Sequence, residues 1–435
     1  MSQQQKVVVV GLGYIGLPTA VVLANYGSRV HGVDINEANV ERINRGEIPF
    51  VEPGLEEQLA RAVTDGQLTA STQTPHGDAY IVAVPTPFKN NHEGDLSYVM
   101  SAAIGIAAQL RGGELIVLES TSPPHTTRKM AEFLVRLRPD LSLDGTDGKP
   151  AIHVAHCPER VLPGRVMEEL ITNDRIIGGM TPEATRKAKE LYATFCVGQL
   201  LETDDVTAEM AKLTENSFRD VNIAFANELS LIADKLGIDV WELIELANHH
   251  PRVNILQPGP GVGGHCIAVD PWFIVSSAPE EAQLIRTARR VNDAKPEWVV
   301  EQVKQAVDGL DVPVVAALGL AFKPDIDDLR ESPSVEIAKR LAQELPHGTV
   351  LAVEPHVADL PAALRGAKNV RFAEVLDAVK RADVVVLLVD HQQFAKLPKG
   401  ILDGKTLIDT KGLWRSAKSS ALHLSPASVA VVTAA

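Results

Sequence analysis

The sequence predicts an α/β protein in which two doubly wound, parallel-sheet domains are joined by a central helical segment. Three observations carry this prediction. An apolar strand and a glycine-rich turn open the chain, one long helical pattern crosses its middle, and a second alternation of strands and helices fills its last third. Because 435 residues exceed what one hydrophobic core holds, we expect domains at 1–200, 201–310 and 311–435.

Composition and charge exclude several classes of partner. The chain carries 42 basic and 56 acidic residues, a formal charge of -14, with no basic run of the kind that a nucleic-acid backbone attracts. No apolar run approaches the roughly 18 residues of a membrane span, and the first residues lead into a strand without the features of a signal peptide. We therefore expect a cytoplasmic protein that has neither nucleic acid nor membrane as a partner.

The first domain opens with a dinucleotide-binding pattern. A buried strand, Lys6–Val10, leads into Gly11, Gly13 and Gly16 at G-x-G-x-x-G spacing, and a helix and a second strand follow before Asp34. In this pattern the first glycine makes a tight turn, the second admits a pyrophosphate to the helix N-terminus, and the third packs helix on strand. Asp34 would accept hydrogen bonds from the ribose hydroxyls and repel a 2′-phosphate, so the pattern predicts NAD as the cofactor.

Polar side chains follow three further strands of this domain, predicted at 79–85, 114–120 and 152–155. Thr86 follows the first, Ser120 and Thr121 end the second, and Glu159 and Arg160 come after the third. Ligands of a parallel sheet bind at the carboxyl ends of its strands, so these groups would face the cofactor or a substrate. The hydroxyl groups could equally cap turns or helices.

A long helix is predicted over residues 207–237, where the apolar period changes. It would span about 45 Å and could bridge two domains. Its spacing places four polar side chains on one face: Glu209, Lys212, Asn216 and Arg219. Glu209 fits a solvated face. Asn216 is unexpected in mid-helix, and a buried Lys212 could act as a base.

The stretch 259–270, GPGVGGHCIAVD, surrounds Cys266 with glycines. A thiol readily becomes a nucleophile near neutral pH, and glycines would let a substrate approach it closely. A small buried cysteine in a turn is the other interpretation of the same residues. Together with Cys157 and Cys196 it makes three widely spaced cysteines, which predict neither a disulfide framework nor a metal site.

A second strand–helix alternation begins at 312–319 and lacks the G-x-G-x-x-G pattern. Its further strands are predicted at 349–353, 369–372, 383–389 and 406–409. Lys323 and Arg330 follow its first strand, where two cations suit a phosphate-bearing ligand, although ordinary surface basic residues would give the same pattern. The residues beyond Arg415 are expected to be frayed.

Six long motifs are distributed along most of the chain. They are GLGYIG at 11–16, VPTP at 84–87, CPERVLPG at 157–164, KLTENSFRDVNIAFANEL at 212–229, HPRVNILQPGPGVGGHCIAVDPWF at 250–273 and GLAFKPDIDDLRESP at 319–333. With them the chain resembles nucleotide-sugar dehydrogenases of the UDP-glucose/GDP-mannose 6-dehydrogenase family. CPERVLPG favours the N-acetylmannosamine branch over the glucose and N-acetylglucosamine branches. The resemblance implies two Rossmann-like domains around a helical segment.

The resemblance also implies a four-electron oxidation, in which two NAD molecules successively accept hydride from C6 of a UDP-sugar. Cys266 matches the family nucleophile, which captures the aldehyde as a thiohemiacetal and then holds a thioester. Lys212 and Asn216 match residues that stabilise the developing oxyanion or handle its proton. Asp270 and Thr121 match residues that position or activate the hydrolytic water.

Further positions match the family's binding contacts, and Glu159 matches a carboxylate that acts on the thioester step. The positions that match UDP-sugar contacts are Arg160, Val161, Lys212, Asn216, Arg219, His250, Arg252, Gly263, Lys323 and Arg330. Those that match cofactor contacts are Gly11, Gly13, Tyr14, Ile15, Gly16, Asp34, Thr86 and Thr126. Arg252 matches a residue that reaches into a neighbouring subunit's site, so the resemblance implies a homodimer.

One segment departs from the family pattern. Where the family has Pro-Val-Gly-Thr, this chain has Pro123, Pro124, His125 and Thr126. Without the glycine a positive φ is costly, and proline restricts its own φ to about -65°. The departure weakens the expectation that Thr126 contacts the cofactor.

Other functions fit parts of the sequence. The same oxidation could act on UDP-N-acetylglucosamine or UDP-glucose. A two-electron NAD dehydrogenase of the hydroxyacid type would use Lys212 and Asn216 beside a structural Cys266, and would form one NADH per substrate instead of two. A protein that only binds NAD would use the paired domains without chemistry.

Overall fold

The computed structural model describes residues 4–89, 93–145, 148–264, 267–398 and 400–415. The chain forms two compact units. Unit 1 comprises Met1–Glu215 with Trp272–Glu281, and unit 2 comprises Asn216–Pro271 with Ala282–Ala435. The middle segment predicted at 201–310 therefore contributes to both units.

Unit 1 is built on one large sheet. Its strands are β1 (Lys6–Val10), β2 (Arg29–Val33), β3 (Leu68–Ser71), β4 (Ala79–Val82), β5 (Leu115–Leu118), β6 (His153–His156), β7 (Arg175–Gly179) and β8 (Leu200–Asp204). They form an eight-stranded sheet in the order β3-β2-β1-β4-β5-β6-β7-β8. Neighbouring strands are parallel except β6 and β7. The order reverses beside β1, so the carboxyl ends of β1 and β4 flank the crevice where such sheets bind ligands.

Alternate residues of β1 face two separate cores of unit 1. Val7 and Val9 belong to one buried cluster, and Val8 and Val10 belong to the other. The helices that cover the sheet are α1 (Gly16–Asn25), α2 (Glu37–Asn44), α3 (Leu55–Thr64), α4 (Ser97–Ala107), α5 (Thr126–Leu137), α6 (Val166–Thr172) and α7 (Pro182–Tyr192). Residues of α1, α3, α6 and α7 join the first cluster, and residues of α4 and α5 join the second. This burial of both faces explains why the central strands are continuous apolar runs.

Unit 2 contains the second sheet. Its strands are β9 (Val314–Leu318), β10 (Thr349–Val353), β11 (Val370–Phe372), β12 (Val384–Leu387) and β13 (Thr406–Asp409). All pairs are parallel, in the order β11-β10-β9-β12-β13. The remaining helices of the chain are α8 (Asp205–Leu236), α9 (Val240–Asn248), α10 (Asp270–Ser277), α11 (Gln283–Ala306), α12 (Pro333–Glu344), α13 (Val375–Arg381) and α14 (Gln392–Ala395). The strand order reverses beside β9, as it does beside β1.

This architecture confirms the predicted fold class, with two Rossmann-like, parallel-sheet regions and a long helix between them. α8 has 32 residues, begins in unit 1 and ends in unit 2. The sequence pattern did not predict β3, β7 or β8. Strand β8 has the sequence LLETD and no fully buried residue, and β3 has the sequence LTAS, so both lack the apolar run that marks the central strands.

Within the described ranges, every helix is either too short or too polar to cross a lipid bilayer.

Candidate active site

The glycine turn after β1 is shaped by close backbone contacts. Gly11 has φ of 94°, and its amide donates to the Val33 carbonyl at 2.8 Å. A Cβ on Gly16 would lie 1.8 Å from the Gly11 oxygen, so only glycine lets α1 pack this closely. A Cβ on Gly13, in contrast, would meet no atom within 4 Å. The turn is therefore tight on its inner side and open at Gly13, as a pyrophosphate site requires.

The carboxylate of Asp34 is oriented by two backbone amides. Its Oδ2 accepts from the Leu12 amide at 2.9 Å, and its Oδ1 accepts from the Asn36 amide at 2.9 Å. The side chain is half-buried, and each oxygen keeps lone-pair capacity for a ribose hydroxyl. Nearby, the Tyr14 ring stacks on Phe50 with centroids 4.5 Å apart.

The hydroxyl groups at the ends of β4 and β5 join these two strand ends. Thr86 Oγ1 donates to the Thr121 carbonyl at 2.5 Å, and Ser120 Oγ donates to the Val84 carbonyl at 2.7 Å. Thr86, Ser120 and Thr121 are all half-buried. The structure thus uses Thr86 and Ser120 as ties between strands, while their oxygens can still accept hydrogen bonds.

The segment that departs from the family pattern keeps a left-handed backbone without glycine. His125 has φ of 70°, and its amide donates to Glu209 at 2.6 Å. The amide and hydroxyl of Thr127 donate to the other Glu209 oxygen at 2.7 and 2.6 Å. His125 adopts the costly positive φ without glycine, because the Glu209 carboxylate holds the turn at the N-terminus of α5. Thr126 is fully buried, and its hydroxyl donates to the Pro123 carbonyl at 2.6 Å.

Glu209 itself does not lie on a solvated face. Its exposed fraction is 1%, so that prediction is wrong. Burial raises the pKa of Glu209 to about 7, against the hydrogen bonds from Thr127 and His125, which lower it. Helical spacing places a residue on a face, but it does not say which other element covers that face.

Glu159 and Arg160 lie just beyond β6 and have different environments. Glu159 is buried, and its Oε2 accepts from the Arg175 guanidinium at 2.7 Å. Arg160 is half-buried and pairs with Glu215 at 2.6 Å. The Arg160 side chain lines an open depression of about 360 Å³, shared with Glu215, Asn173 and Asp174. Val161, an apolar residue among the predicted UDP-sugar contacts, packs against the buried cluster of unit 1 that contains Val7 and Val9.

In unit 2, Asn216 and Asp270 form a buried pair. Asn216 Nδ2 donates to Asp270 Oδ2 at 2.5 Å, and the exposed fractions are 7% and 3%. Lys212 lies one helical turn before Asn216 and is half-buried. Cys266, four residues before Asp270, lies outside the described residues.

The glycine stretch before Cys266 is anchored by a buried polar network that the sequence did not reveal. The Gly259 amide donates to Asn227 Oδ1 at 2.9 Å, and Asn227 Nδ2 donates to Asn292 Oδ1 at 2.9 Å. Asn292 Nδ2 in turn donates to Asp220 Oδ1 at 2.8 Å, which also accepts from Arg289 at 2.6 Å. A sequence signal for this network was the amide of Asn227 among the mostly apolar residues of its helical face.

The same glycine stretch packs against the segment that follows β9. A Cβ on Gly263 would lie 2.4 Å from the Glu331 carbonyl, and a Cβ on Gly264 would lie 3.0 Å from the Phe322 ring. Glycine is required here because the two backbones approach so closely. The structure therefore brings Gly263 beside the segment that carries Lys323 and Arg330.

The predicted cations of unit 2 are exposed to solvent. Lys323, Arg219, His250 and Arg252 are all exposed, and the Arg252 amide donates to His250 Nδ1 at 3.3 Å. Arg330 forms a two-point contact with Asp328, at 2.9 and 2.6 Å. An exposed ion pair such as that of Arg330 with Asp328 contributes little to stability.

Three stretches of the chain match the domains of one protein family. Residues 5–196 match the NAD binding domain of the UDP-glucose/GDP-mannose dehydrogenase family. Residues 206–294 match its central domain, and residues 316–416 match its UDP binding domain.

Individual relatives are similar over nearly their full length. The chain is 58% identical over 414 residues to the NDP-N-acetyl-D-galactosaminuronic acid dehydrogenase of Ralstonia nicotianae, covering 95% of this chain and 97% of that protein. It is 56% identical over 416 residues to the UDP-N-acetyl-D-mannosamine dehydrogenase of Escherichia coli K12, covering 94% and 98%. Among solved structures, the UDP-N-acetyl-mannosamine dehydrogenase of Staphylococcus aureus is 43% identical with a TM-score of 0.82, covering 94% and 95%.

Proposed function

The chain belongs to the UDP-glucose/GDP-mannose dehydrogenase family, and we propose that it oxidises UDP-N-acetyl-D-mannosamine at C6 to UDP-N-acetyl-D-mannosaminuronate. It is an NAD-dependent dehydrogenase of nucleotide sugars. The end-to-end similarity to the Escherichia coli relative is the observation that carries our choice of sugar. The CPERVLPG motif at 157–164 supports the same choice.

The residues around the first glycine turn fit the NAD cofactor. Gly13 leaves room for a pyrophosphate, and Asp34 offers a fixed carboxylate to the ribose and disfavours a 2′-phosphate. NAD bound there would supply the hydride acceptor for each of the two oxidations. Thr86 and Thr121 lie at the neighbouring strand ends, where the nicotinamide half of a dinucleotide binds in such sheets.

Cys266 is proposed to keep C6 at the site between the two oxidations. Its thiolate adds to the aldehyde carbon and the aldehyde oxygen takes up a proton, which gives a thiohemiacetal. Loss of that proton and of a second hydride from C6 leaves a thioester. Water then forms a bond to C6, the C6–S bond breaks, and the carboxylate leaves. An untethered aldehyde could hydrate or escape, so a covalent bond at this point raises the yield of the second step.

Lys212 and Asn216 are proposed to stabilise the oxygen on C6 as it gains negative charge. An ammonium and an amide one helical turn apart can both direct N–H groups at one oxygen. The Asp270 carboxylate fixes the Asn216 amide through their 2.5 Å hydrogen bond. Asp270 and Thr121 would position or deprotonate the hydrolytic water, and Glu159 would act on the thioester.

The UDP-sugar is proposed to be bound by the basic and small residues that match the family. Lys323 would contact the diphosphate, and Gly263 would contact the sugar through its backbone. The remaining contacts are proposed at Arg160, Val161, Arg219, His250, Arg252 and Arg330.

We also propose that the protein is a homodimer in which α8 forms part of the interface. Phe218, Phe225, Ile232 and Leu236 are 68%, 51%, 47% and 64% exposed. Their spacing of seven, seven and four residues places them on one face of α8. An apolar helical stripe of this kind is typical of a protein interface, and Arg252 would reach the neighbouring site.

A second sugar is supported by a specific observation. The relative from Ralstonia nicotianae is named for a galactosaminuronic acid, which differs from the mannosaminuronic acid at C2 and C4. UDP-N-acetylgalactosamine is therefore the first competing substrate to test. UDP-N-acetylglucosamine and UDP-glucose follow as the alternatives that the motifs left open.

A side-by-side assay tests the choice of sugar. The full-length protein is incubated with NAD and, separately, each of the four UDP-sugars, and NADH is followed at limiting sugar. We expect the highest kcat/KM with UDP-N-acetyl-D-mannosamine. A higher value with UDP-N-acetylgalactosamine would transfer the assignment to that sugar, and NADH from none of them would remove the proposed function.

A further inference from the structure

The Glu159 side chain belongs to a buried charge cluster in unit 1. Arg175, at the start of β7, lies between Glu159 and Glu119, the residue after β5. Its guanidinium contacts Glu159 Oε2 at 2.7 Å and Glu119 Oε1 at 3.5 Å. The exposed fractions of these three side chains are 5%, 7% and 0%. Charged groups are seldom buried without a role, because leaving water is costly for each of them.

Aromatic rings fix the position of the Arg175 guanidinium. Its Cζ lies 4.5 Å from the centre of the Tyr192 ring and 5.8 Å from that of Phe195. The Tyr192 hydroxyl donates to Glu119 Oε1 at 2.6 Å, and Thr19 Oγ1 donates to Glu119 Oε2 at 3.3 Å. The guanidinium is thus held by ring faces and by a carboxylate that is itself anchored.

Both oxygens of Glu159 are held as well. Oε2 accepts from Arg175, and Oε1 accepts from the Arg160 backbone amide at 2.7 Å. A carboxylate oxygen can accept more than one hydrogen bond, so Glu159 is oriented without being saturated. Glu159 and Arg175 line a cavity of about 10 Å³ together with Arg160, Asn173 and Asp174, and the last three also line the larger depression.

Of the two buried carboxylates, Glu159 is favoured over Glu119 as the ion-pair partner of Arg175. Burial raises the pKa of Glu119 to about 7, Arg175 opposes this rise, and Glu159 adds to it. Near neutral pH, Glu119 therefore carries a proton for much of the time. One guanidinium can then pair fully with Glu159.

From this geometry we propose that Arg175 is a positioning residue that holds the Glu159 carboxylate beside the Arg160 depression for thioester hydrolysis. The inference rests on the proposed function. During thioester hydrolysis Asp270 and Thr121 position the water, its oxygen bonds to C6, one water proton passes to Glu159, and the C6–S bond breaks with sulfur leaving as thiolate. Lysine could supply charge at this position, but it could not lie flat between two aromatic rings and two carboxylates.

Single-turnover kinetics with Arg175→Met tests the proposal. Full-length enzyme in excess over UDP-N-acetyl-D-mannosamine is mixed with NAD, and NADH and the covalent enzyme adduct are measured after acid quenching. We expect both hydride transfers to proceed at near wild-type rates while the thioester adduct accumulates. Steady-state kcat should fall by about 100-fold, as for loss of a proton-transfer group, and KM should fall in proportion, because kcat/KM reports the steps before thioester hydrolysis.

Two further variants make the result specific. Arg175→Lys should fold with the charge retained and show a smaller fall in kcat with the same accumulated adduct. Arg186→Met removes an exposed arginine that pairs with Glu183, and it should leave the rates of hydride transfer and of thioester hydrolysis unchanged. If Arg175→Met does not fold, the Arg175→Lys variant alone decides the question.

Glu119→Gln gives a readout that a purely structural role would not change. In the wild type, Glu119 loses its proton above pH 7 and then competes for Arg175. The amide cannot compete, so the decline of the hydrolytic rate between pH 7 and 9 should be weaker in Glu119→Gln than in the wild type.

Equal slowing of hydride transfer and hydrolysis in the Arg175 variants, or hydrolysis at the wild-type rate, would overturn the proposal. These results differ from failure of the proposed function, in which the wild type itself forms no NADH with any of the UDP-sugars.

Discussion

Glu209 shows how a single buried carboxylate can compensate for the loss of a glycine. A left-handed conformation at a residue other than glycine costs on the order of 1 kcal/mol or more. At His125 this cost is offset by three hydrogen bonds that Glu209 accepts at the start of α5. The helix N-terminus adds a favourable interaction with the negative charge. A residue on α8 thus determines the backbone of a turn more than eighty positions earlier in the chain.

The titration of Glu209 predicts a pH dependence of stability. The pKa of Glu209 rises from an ordinary 4.5 to about 7 in the folded protein, chiefly through burial. The folded state therefore binds this proton more tightly, and the resulting stabilisation is complete below pH 4.5 and is lost as the pH rises through 7. Between pH 5 and 8 the wild type should lose about 2 to 3 kcal/mol of unfolding free energy relative to Glu209→Gln.

Urea denaturation of both proteins at the two pH values measures this difference. The matched control is Glu132→Gln, which changes an exposed carboxylate on α5 and should show no pH-dependent gap. A gap between wild type and Glu209→Gln that is the same at both pH values would contradict the assignment.

Asn227 is the residue on which the glycine stretch before Cys266 depends. Asn227→Ala removes the acceptor of the Gly259 amide and the donor to Asn292, so buried polar groups lose their partners. We expect a loss of about 2 to 4 kcal/mol in unfolding free energy and a lower kcat, because the backbone that leads to Cys266 is no longer held. Denaturation and steady-state NADH formation measure the two effects.

Asn227→Asp is the matched variant for this prediction, because it keeps the acceptor for Gly259 and replaces the donor to Asn292 by a buried carboxyl oxygen. Its kcat should lie between those of the wild type and Asn227→Ala. A kcat for Asn227→Ala equal to that of the wild type would show that the anchor has no role in the chemistry.

At the scale of elements, α8 combines three tasks along its 32 residues. Its first turns supply Glu209 to α5, the next two turns carry Lys212 and Asn216, and the exposed apolar stripe runs from Phe218 to Leu236. The sequence predicted the length and the polar positions of this helix. It could not predict that Glu209 is buried, because one helical period fits a solvated face and a face covered by another element equally well.

The exposed stripe of α8 predicts a change of assembly on mutation. Phe225→Glu introduces a charge at the centre of the proposed interface, where a desolvated carboxylate without a partner is unfavourable. We expect the dimer to dissociate to monomers, measured by light scattering after gel filtration. Lys235→Glu changes a charge on the same helix outside the stripe and should leave the mass unchanged. A monomeric wild type, or a dimeric Phe225→Glu variant, would contradict an interface at this face.

At the scale of the whole molecule, the sequence predicted the elements that follow a regular pattern of apolar residues or glycines. The strands at 349–353 and 406–409 were predicted with the observed bounds, because each is a short apolar run between polar turns. The first glycine turn followed from the glycine spacing together with the strand before it and the helix, strand and Asp34 after it. Buried charges were not predictable in this way. Glu119 and Arg175 adjoin apolar strands, where a charged residue normally indicates the end of a strand and not a buried partner.

The central claim concerns a covalent tether between two oxidations, and the yield of NADH per sugar tests it most directly. With limiting UDP-N-acetyl-D-mannosamine and excess NAD, the wild type should form two NADH per sugar. Cys266→Ser should still bind NAD, yet it should stall before the carboxylate is released, because serine is a weaker nucleophile than a thiolate. One NADH per sugar from the wild type, or two per sugar with full turnover from Cys266→Ser, would contradict the account.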